Sequence, residues 1–379
     1  MSNQIDIHTE EVEHKPYVGF NFEFLRLKFT GKDSNIKLIN SFRRACAENI
    51  PKYAFPRVLI NITKNTTTAF NNDYMTLRLS HLPVFNVEGH DIDPKLNYFH
   101  ERFWQHVDYL DRDRLVADEE RNVEIQINVH NNTDIIKNID TSDPGVKVYI
   151  DNEKVNMYSS KWPIEIIQLR PNDSFSCSMK AVLGLGERHT IWAACSNSWH
   201  YYEDDDPTKD LIVALRPSGS IKGYDIATRA CSYLDLKLAI IKKEVMRQLD
   251  KSNIKGGMFE LEFKNEDSTL AELINYELQS HKNILFSGVT KPDHLLRCML
   301  IRLEFKNNIK ESDVKKSIEE SFNTASDKVL FLKMKLEDTS KSNNKENKST
   351  SSKPDKPTSP TPDKPTSPKK IKKAKKTKK

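Results

Sequence analysis

The 379-residue chain lacks several features that would place it quickly. No apolar run approaches the roughly 18 to 20 residues that span a bilayer, and the first twenty residues, with Glu10, Glu11 and Glu13, lack the basic-then-apolar order of a secretory signal. The chain is therefore expected to be intracellular. Its five cysteines, Cys46, Cys177, Cys195, Cys231 and Cys298, are widely spaced with no CxxC, which suits a reducing compartment and argues against disulfides. Residues 84 to 176 contain no cysteine, so the soft ligands of a structural zinc site are missing there and no metal or cofactor is expected. There is no Gly-x-Ser-x-Gly. His100 and His106 are six apart, which does not suit a helical metal pair, and Asp111 and Asp113 alternate with Arg112 and Arg114 as a solvated charged segment does. Nothing here marks an enzyme.

Charge is unevenly placed. The net charge is +5, but residues 339–379 hold fourteen lysines against Glu346, Asp355 and Asp363, or +11, which leaves −6 for the preceding 338 residues. A body of that sign does not wrap nucleic acid through its own face, so any phosphate affinity belongs to the end of the chain. The candidate residues for such contact are Lys369, Lys370, Lys372, Lys373, Lys375 and Lys376, in a run that reads equally as a nuclear import signal or a solubilising tail. Residues 339–379 are rich in Lys, Ser, Thr and Pro, with almost no apolar side chains, and are expected to be a disordered tail.

The remaining sequence reads as alternating strands and amphipathic helices. Residues 17–30 alternate as a strand, with a parity shift that suggests a bulge or a break near Phe24. Ile39, Phe42, Cys46 and Ile50 recur at helical spacing, with Ser34 or Asn35 as N-cap and Pro51 as terminator. Residues 57–210 read as a β-rich insertion. Ile226, Ala230, Leu234, Leu238, Ile241, Val245 and Leu249 then form one long helical stripe before Gly256-Gly257 breaks the chain. After it come a strand (Phe259, Leu261, Phe263) and a helix opened by a Thr269–Glu272 capping box and carrying Leu270, Leu273, Ile274 and Leu278. Two further strands and a helix with Val314, Ile318, Phe322, Ala325 and Val329 complete the pattern.

The two parts echo each other, and the second is too small to cover its own helix stripes. The expected fold class is α+β. It comprises two dimerisation modules, each an antiparallel sheet with packed helices, the first (17–56 and 211–252) split by the insertion (57–210) and the second spanning 255–338. Residues 1–16 are expected to be a flexible N-terminus. The stripes of Ile39, Phe42 and Cys46 and of Leu270, Leu273, Ile274 and Leu278 are expected to meet as an intramolecular dimer interface.

The segment Lys180-Ala-Val-Leu-Gly-Leu-Gly-Glu-Arg-His-Thr-Ile-Trp192 admits a plain interpretation, a glycine turn with His189 and Trp192 packed nearby. As a whole string, however, it resembles Ala-x-x-Gly-x-x-x-x-His-x-x-Trp of the third-largest subunit of eukaryotic RNA polymerase II, its archaeal equivalent and, in part, the bacterial α subunit. Asn40-Ser-Phe-Arg-Arg-Ala-Cys-Ala-Glu-Asn-Ile-Pro51 resembles that family's first helix. Asp73-Tyr-Met-Thr-Leu-Arg-Leu-Ser-His-Leu-Pro83 resembles the following one, and Arg216-Pro-Ser-Gly-Ser-Ile221 its Glu-Ser-x-Gly-Ser. Phe263-Lys-Asn-Glu-Asp-Ser-Thr-Leu-Ala-Glu-Leu-Ile274 and Ile284-Leu-Phe-Ser-Gly-Val-Thr-Lys-Pro-Asp-His294 are similar to the small subunit that pairs with the third-largest one, with Ser268 and Ala271 replacing the family's His and Gly. Six segments in collinear order cover roughly residues 17–337.

The resemblance implies a non-catalytic assembly platform of a DNA-directed RNA polymerase, with both members of the α-like pair fused. Such fusion is similar to the arrangement in large DNA viruses, and it implies the virion and a viral factory in host cytoplasm as location, the nucleus being the alternative. The implied partners are the largest and second-largest polymerase subunits and other small subunits, with DNA or RNA met through the complex or weakly through the tail. The implied large-subunit contacts are Arg43, Arg44, Lys180, Gly184, Gly186, His189 and Trp192, and Arg44, pointing off the buried stripe, is expected to be free for a partner's carboxylate or carbonyl. The rival reading is a nucleic-acid binding or packaging protein acting through its lysine-rich tail.

Overall fold

Leu25, Leu27 and Phe29 are buried while Phe24, Arg26, Lys28 and Thr30 are not, the period-two pattern of a strand with one covered face. In a computed structural model of the chain, which describes residues 5–17, 20–85, 87, 121–206, 210–251, 258–264, 266–293, 295–296, 298–306 and 310–350, this strand is β2 (Phe20–Thr30). It pairs antiparallel with β1 (Asp6–Tyr17). Residues 6–16, which were expected to belong to a flexible N-terminus, pair with β2, and Ile5 and Ile7 are buried; residues 1–4 lie outside the described residues. The register shift lies between Thr9 and Glu11 of β1, not at Phe24 of β2.

Helix α1 (Ile36–Glu48) starts at Asn35, whose Oδ1 accepts from the Leu38 N–H at 2.9 Å, so Asn35 and not Ser34 is the cap. Its buried face carries Leu38, Ile39, Phe42, Ala45 and Cys46. Next come β3 (Lys52–Ala54), β4 (Ile60–Asn65) and α2 (Asn72–Ser80). The region then continues as β5 (Val123–His130), β6 (Lys137–Asp140), β7 (Val146–Ile150), β8 (Glu153–Val155), β9 (Glu165–Leu169) and β10 (Ser174–Gly184). One sheet has the order β3-β10-β5-β7-β8 with β4 also on β10, while β6 and β9 form a two-stranded ribbon.

β11 (Cys195–Tyr202) and β12 (Leu211–Pro217) return to the first sheet, whose order is β1-β2-β12-β11. The expected insertion of 57–210 is therefore displaced at both edges: β11 belongs to the first sheet and β3 to the inserted one. Helix α3 (Gly223–Lys251) follows, its stripe from Ile226 to Leu249 buried.

The C-terminal part runs β13 (Met258–Lys264), α4 (Ser268–Gln279), β14 (Ile284–Thr290), β15 (Cys298–Phe305) and α5 (Glu311–Thr350), with strand order β13-β15-β14. The expected capping box does not form. Asp267 caps α4 by accepting from the Thr269 N–H at 2.8 Å, and Glu272 turns outward to Lys37. The stripe of α5 is buried from Val314 to Leu336 and the helix runs to Thr350, while the chain divides into two units, Met1–Ser340 and Lys341–Lys379, next to residue 339 where the tail was expected to begin.

Polar ties join α3 to α5 in antiparallel order: Asp235 with Ser326, Lys242 with Glu319 (2.9 Å) and Asn323 (2.9 Å), Asp250 with Lys315 (3.1 Å). One contiguous core contains Phe42, Leu234, Leu273 and Phe322 together. The fold is mixed α+β, with antiparallel sheets and, among the described residues, five α-helices. Among those residues no helix is long and apolar enough to cross a membrane. His100, His106, Asp111, Asp113, Gly256-Gly257, His294 and the lysines from Lys369 to Lys376 lie outside the described residues.

Candidate functional site

The two ends of α1 carry the candidate residues. Along its length Ile39, Phe42 and Cys46 are buried in the same core as Leu270, Leu273, Ile274 and Leu278 of α4. Burial of a Leu- or Phe-sized side chain is worth about 1.5 to 3 kcal/mol each. Three polar ties sit over that core: Ser41 Oγ donates to Thr269 O (2.9 Å), Lys37 meets Glu272 (2.8 Å) and Arg44 Nη2 meets Asp267 Oδ2 (2.7 Å). Nearby, Lys237 of α3 meets Glu266 at 2.5 Å, both buried, and Gln248 of α3 binds both backbone groups of Glu262 on β13, at 2.7 and 3.1 Å.

The expectation that Arg44 is free is corrected here. Arg44, expected to be free, holds the carboxylate that caps α4 and lies 3.6 Å from Glu48. Arg43 is turned the other way: its Nη1 donates to Ser198 O of β11 at 3.0 Å, and its Nε and Nη2 donate to Asn40 Oδ1 at 3.2 and 3.1 Å. Both guanidiniums brace α1 within the chain. Helical periodicity shows which way a side chain leaves its helix, but not which distant segment awaits it.

At the other end of α1 a second cluster forms around Trp192. β10 ends by pairing Val182, Leu183 and Gly184 with Ala54, Tyr53 and Lys52 of β3. The chain then turns and comes back through a 3-10 turn at Thr190–Trp192. Trp192 is 2% exposed and its Nε1–H donates to Val182 O at 3.0 Å, which lays the indole across Gly184. A Cβ at Gly184 would stand 2.3 Å from two indole carbons, so only glycine fits. One at Gly186 would be 3.0 Å from Ala47 O and from Ala193 Cα. The loop is pinned to the last turn of α1, since the Glu187 N–H donates to Glu48 O (2.9 Å) and Asn49 Nδ2 donates to the Glu187 carboxylate (3.1 Å).

His189 Nδ1 accepts from the Ile191 N–H at 3.2 Å, which caps the 3-10 turn and puts the ring proton on Nε2. Burial, followed by the nearby Arg57 and His81, holds its imidazole below the ordinary value, which suits that neutral acceptor role. Gly184, His189 and Trp192 thus shape the loop from inside. Lys180 is not gathered with them: it lies four residues back on β10, opposite Glu124, about 13 Å along the strand.

Sequence reading missed Lys52. It follows the helix-ending Pro51 and interrupts an otherwise apolar Ile50-Pro51-Lys52-Tyr53-Ala54-Phe55, and a charge inside such a run is the signal that was there to find. Its Nζ donates to Ala193 O (3.3 Å) and to Ser218 Oγ (3.1 Å), bridging the Trp192 loop to the turn before α3. Burial draws its pKa down to about 8, with Cys195 acting in the opposite direction. Burial also pushes the Cys195 thiol up to about 12, so it is a neutral neighbour. Among the described residues no group of three or more His, Cys, Asp or Glu side chains is placed to hold a metal ion. Compared with known proteins, the chain matches no protein-family model and no curated protein sequence.

Proposed function

We propose that this chain is a non-catalytic assembly-platform subunit of a multisubunit DNA-directed RNA polymerase, carrying both members of the α-like pair in one polypeptide. The observation that carries the reading is the meeting of α1 and α4: the two segments that resemble the dimerising helices of two separate polymerase subunits share one core and are tied by Lys37–Glu272 and Arg44–Asp267. Fusion sets the effective concentration of the two members at about the millimolar range or above, so assembly does not wait on a second small chain. In this reading the Trp192 loop, the end of α1 and the turn before α3 form the face offered to a large subunit. The lysine-rich segment adds at most a weak, salt-sensitive contact to nucleic acid.

The test is purification of the tagged full-length chain from the cells or particles that contain it. Two large co-purifying subunits with DNA-templated nucleotide incorporation are the expected result. Recovery of nucleic acid or structural proteins alone would overturn the reading in favour of a packaging protein.

A further inference from the structure

The lysines set into this fold usually find carboxylates. Lys237 meets Glu266 at 2.5 Å, Lys328 meets Glu277 at 2.9 Å and Asp33 at 3.5 Å, and Lys28 meets Glu203 at 2.8 Å and Asp210 at 3.4 Å. Lys52 does not. Its two acceptors, Ala193 O and Ser218 Oγ, are neutral, and among the described residues no carboxylate lies within ion-pair distance. An ammonium has three N–H donors, so one remains. We propose that Lys52 receives a carboxylate carried by a partner polypeptide, completing an ion pair of which the described residues supply only the cation.

Three observations support that occupant. Lys52 is only partly covered, and Gly219, on the turn that carries Ser218, is exposed with open space where a Cβ would stand, so an outside group can approach. The position is shared by three segments already locked together, β3, the loop after Trp192 and the turn before α3, so a group seated there senses all three at once. A single ammonium flanked by one hydroxyl matches a monoanion, whereas a phosphate dianion brings more charge and more acceptor atoms than these donors satisfy. The partly desolvated setting makes a matched pair tighter than one on the open surface. The inference deepens the subunit reading, from which it takes the partner's identity but not its chemistry.

The experiment compares wild type with Lys52→Met and Lys52→Arg in the full chain. In isolation Lys52→Met is expected to melt a few degrees higher than wild type, because a half-desolvated cation without a counter-charge is removed. In assembly with the two large subunits it is expected to bind about 10- to 100-fold more weakly, with Lys52→Arg between the two. Unchanged binding, or a Lys52→Met chain that melts lower and so marks the lysine as a structural prop, would overturn the proposal. If the wild-type chain does not join the large subunits, the subunit reading fails separately. The chemistry is then read from the 15N resonance of Lys52 Nζ during titration with acetate, chloride and inorganic phosphate at matched ionic strength. A shift specific to acetate upholds the carboxylate site, and a shift with phosphate alone, or no anion preference, sinks it.

Discussion

The two ends of α1 solve the same electrostatic problem in opposite ways. Toward α4, Lys37 and Arg44 lie beside carboxylates of the chain's own C-terminal part, over a core in which Phe42 and Leu273 are fully covered. Toward the Trp192 loop, Lys52 is drawn in among Ala193 O, Ser218 Oγ and a neutral thiol, and among the described residues its charge is met only by neutral dipoles. A boundary that closes within one chain can match every cation, since both partners are encoded together. A boundary that ends at the chain's surface can carry one member of a pair without the other.

The largest blow to the closed end should come from Leu273→Asp. Leu273 has no exposed surface, and an unpaired carboxylate in its place should cost on the order of 5 kcal/mol in urea unfolding. A loss below about 1 kcal/mol would mean that α1 and α4 do not depend on a shared core. Lys237→Ala should come next, at about 3 to 5 kcal/mol, because it removes the cation paired with the buried Glu266; the double change Lys237→Met with Glu266→Gln should recover most of that. Failure of the double variant to recover would show that packing, not the lost cation, sets the cost.

At the open end Gly184→Ala should cost about 1 to 3 kcal/mol by forcing the indole of Trp192 away, visible as a red shift of tryptophan emission as well as a lower Tm. Lys52→Met works in the opposite direction. Lys52 has a folded pKa of about 8 against 10.5 for the ordinary amine, so the folded chain resists protonation more than the unfolded one. Its penalty is complete below pH 8 and fades as pH rises from 8 to 10.5. The variant should therefore be more stable than wild type by about 1 to 3 kcal/mol at pH 7, and equal to it near pH 11. Parallel stability curves across that range would refute the assignment of the shift to Lys52. The smallest effect is expected for Arg44→Ala, about 0.5 to 1 kcal/mol, since the pair with Asp267 is partly solvated; a double-mutant cycle with Asp267→Ala measures it.

Much of this architecture was legible because it is periodic. The stripes of α1, α3, α4 and α5 are written at i, i+3 and i+4, and β13, with Leu261 and Phe263 buried, is written at i, i+2. What escaped reading has no period. The segment Asp6–Tyr17 is mostly charged and polar, and it becomes a strand through backbone pairing to β2. Asp267 became both cap and counter-ion because α1 passes beside it, a fact of tertiary proximity across more than two hundred residues. Glycine 184 was visible as a glycine, but the cause, an indole eight residues later lying on its backbone, appears only once the loop has closed.

β10 takes part in two different jobs along its eleven residues. Ser174–Ala181 pairs with β5 and Val182–Gly184 pairs with β3. Counting along this strand is therefore shared between the insertion and the loop, in the way one ruler serves two drawings. A slip of a single residue against β5 would invert which side chains face the core, and it would also carry Gly184 out from under Trp192 and move the strand opposite Lys52. Lengthening or shortening the hairpins far out in the insertion leaves that count intact. Deleting one residue within β10 is a change at the opposite end of the strand, at the indole and the lysine, however remote the edit appears.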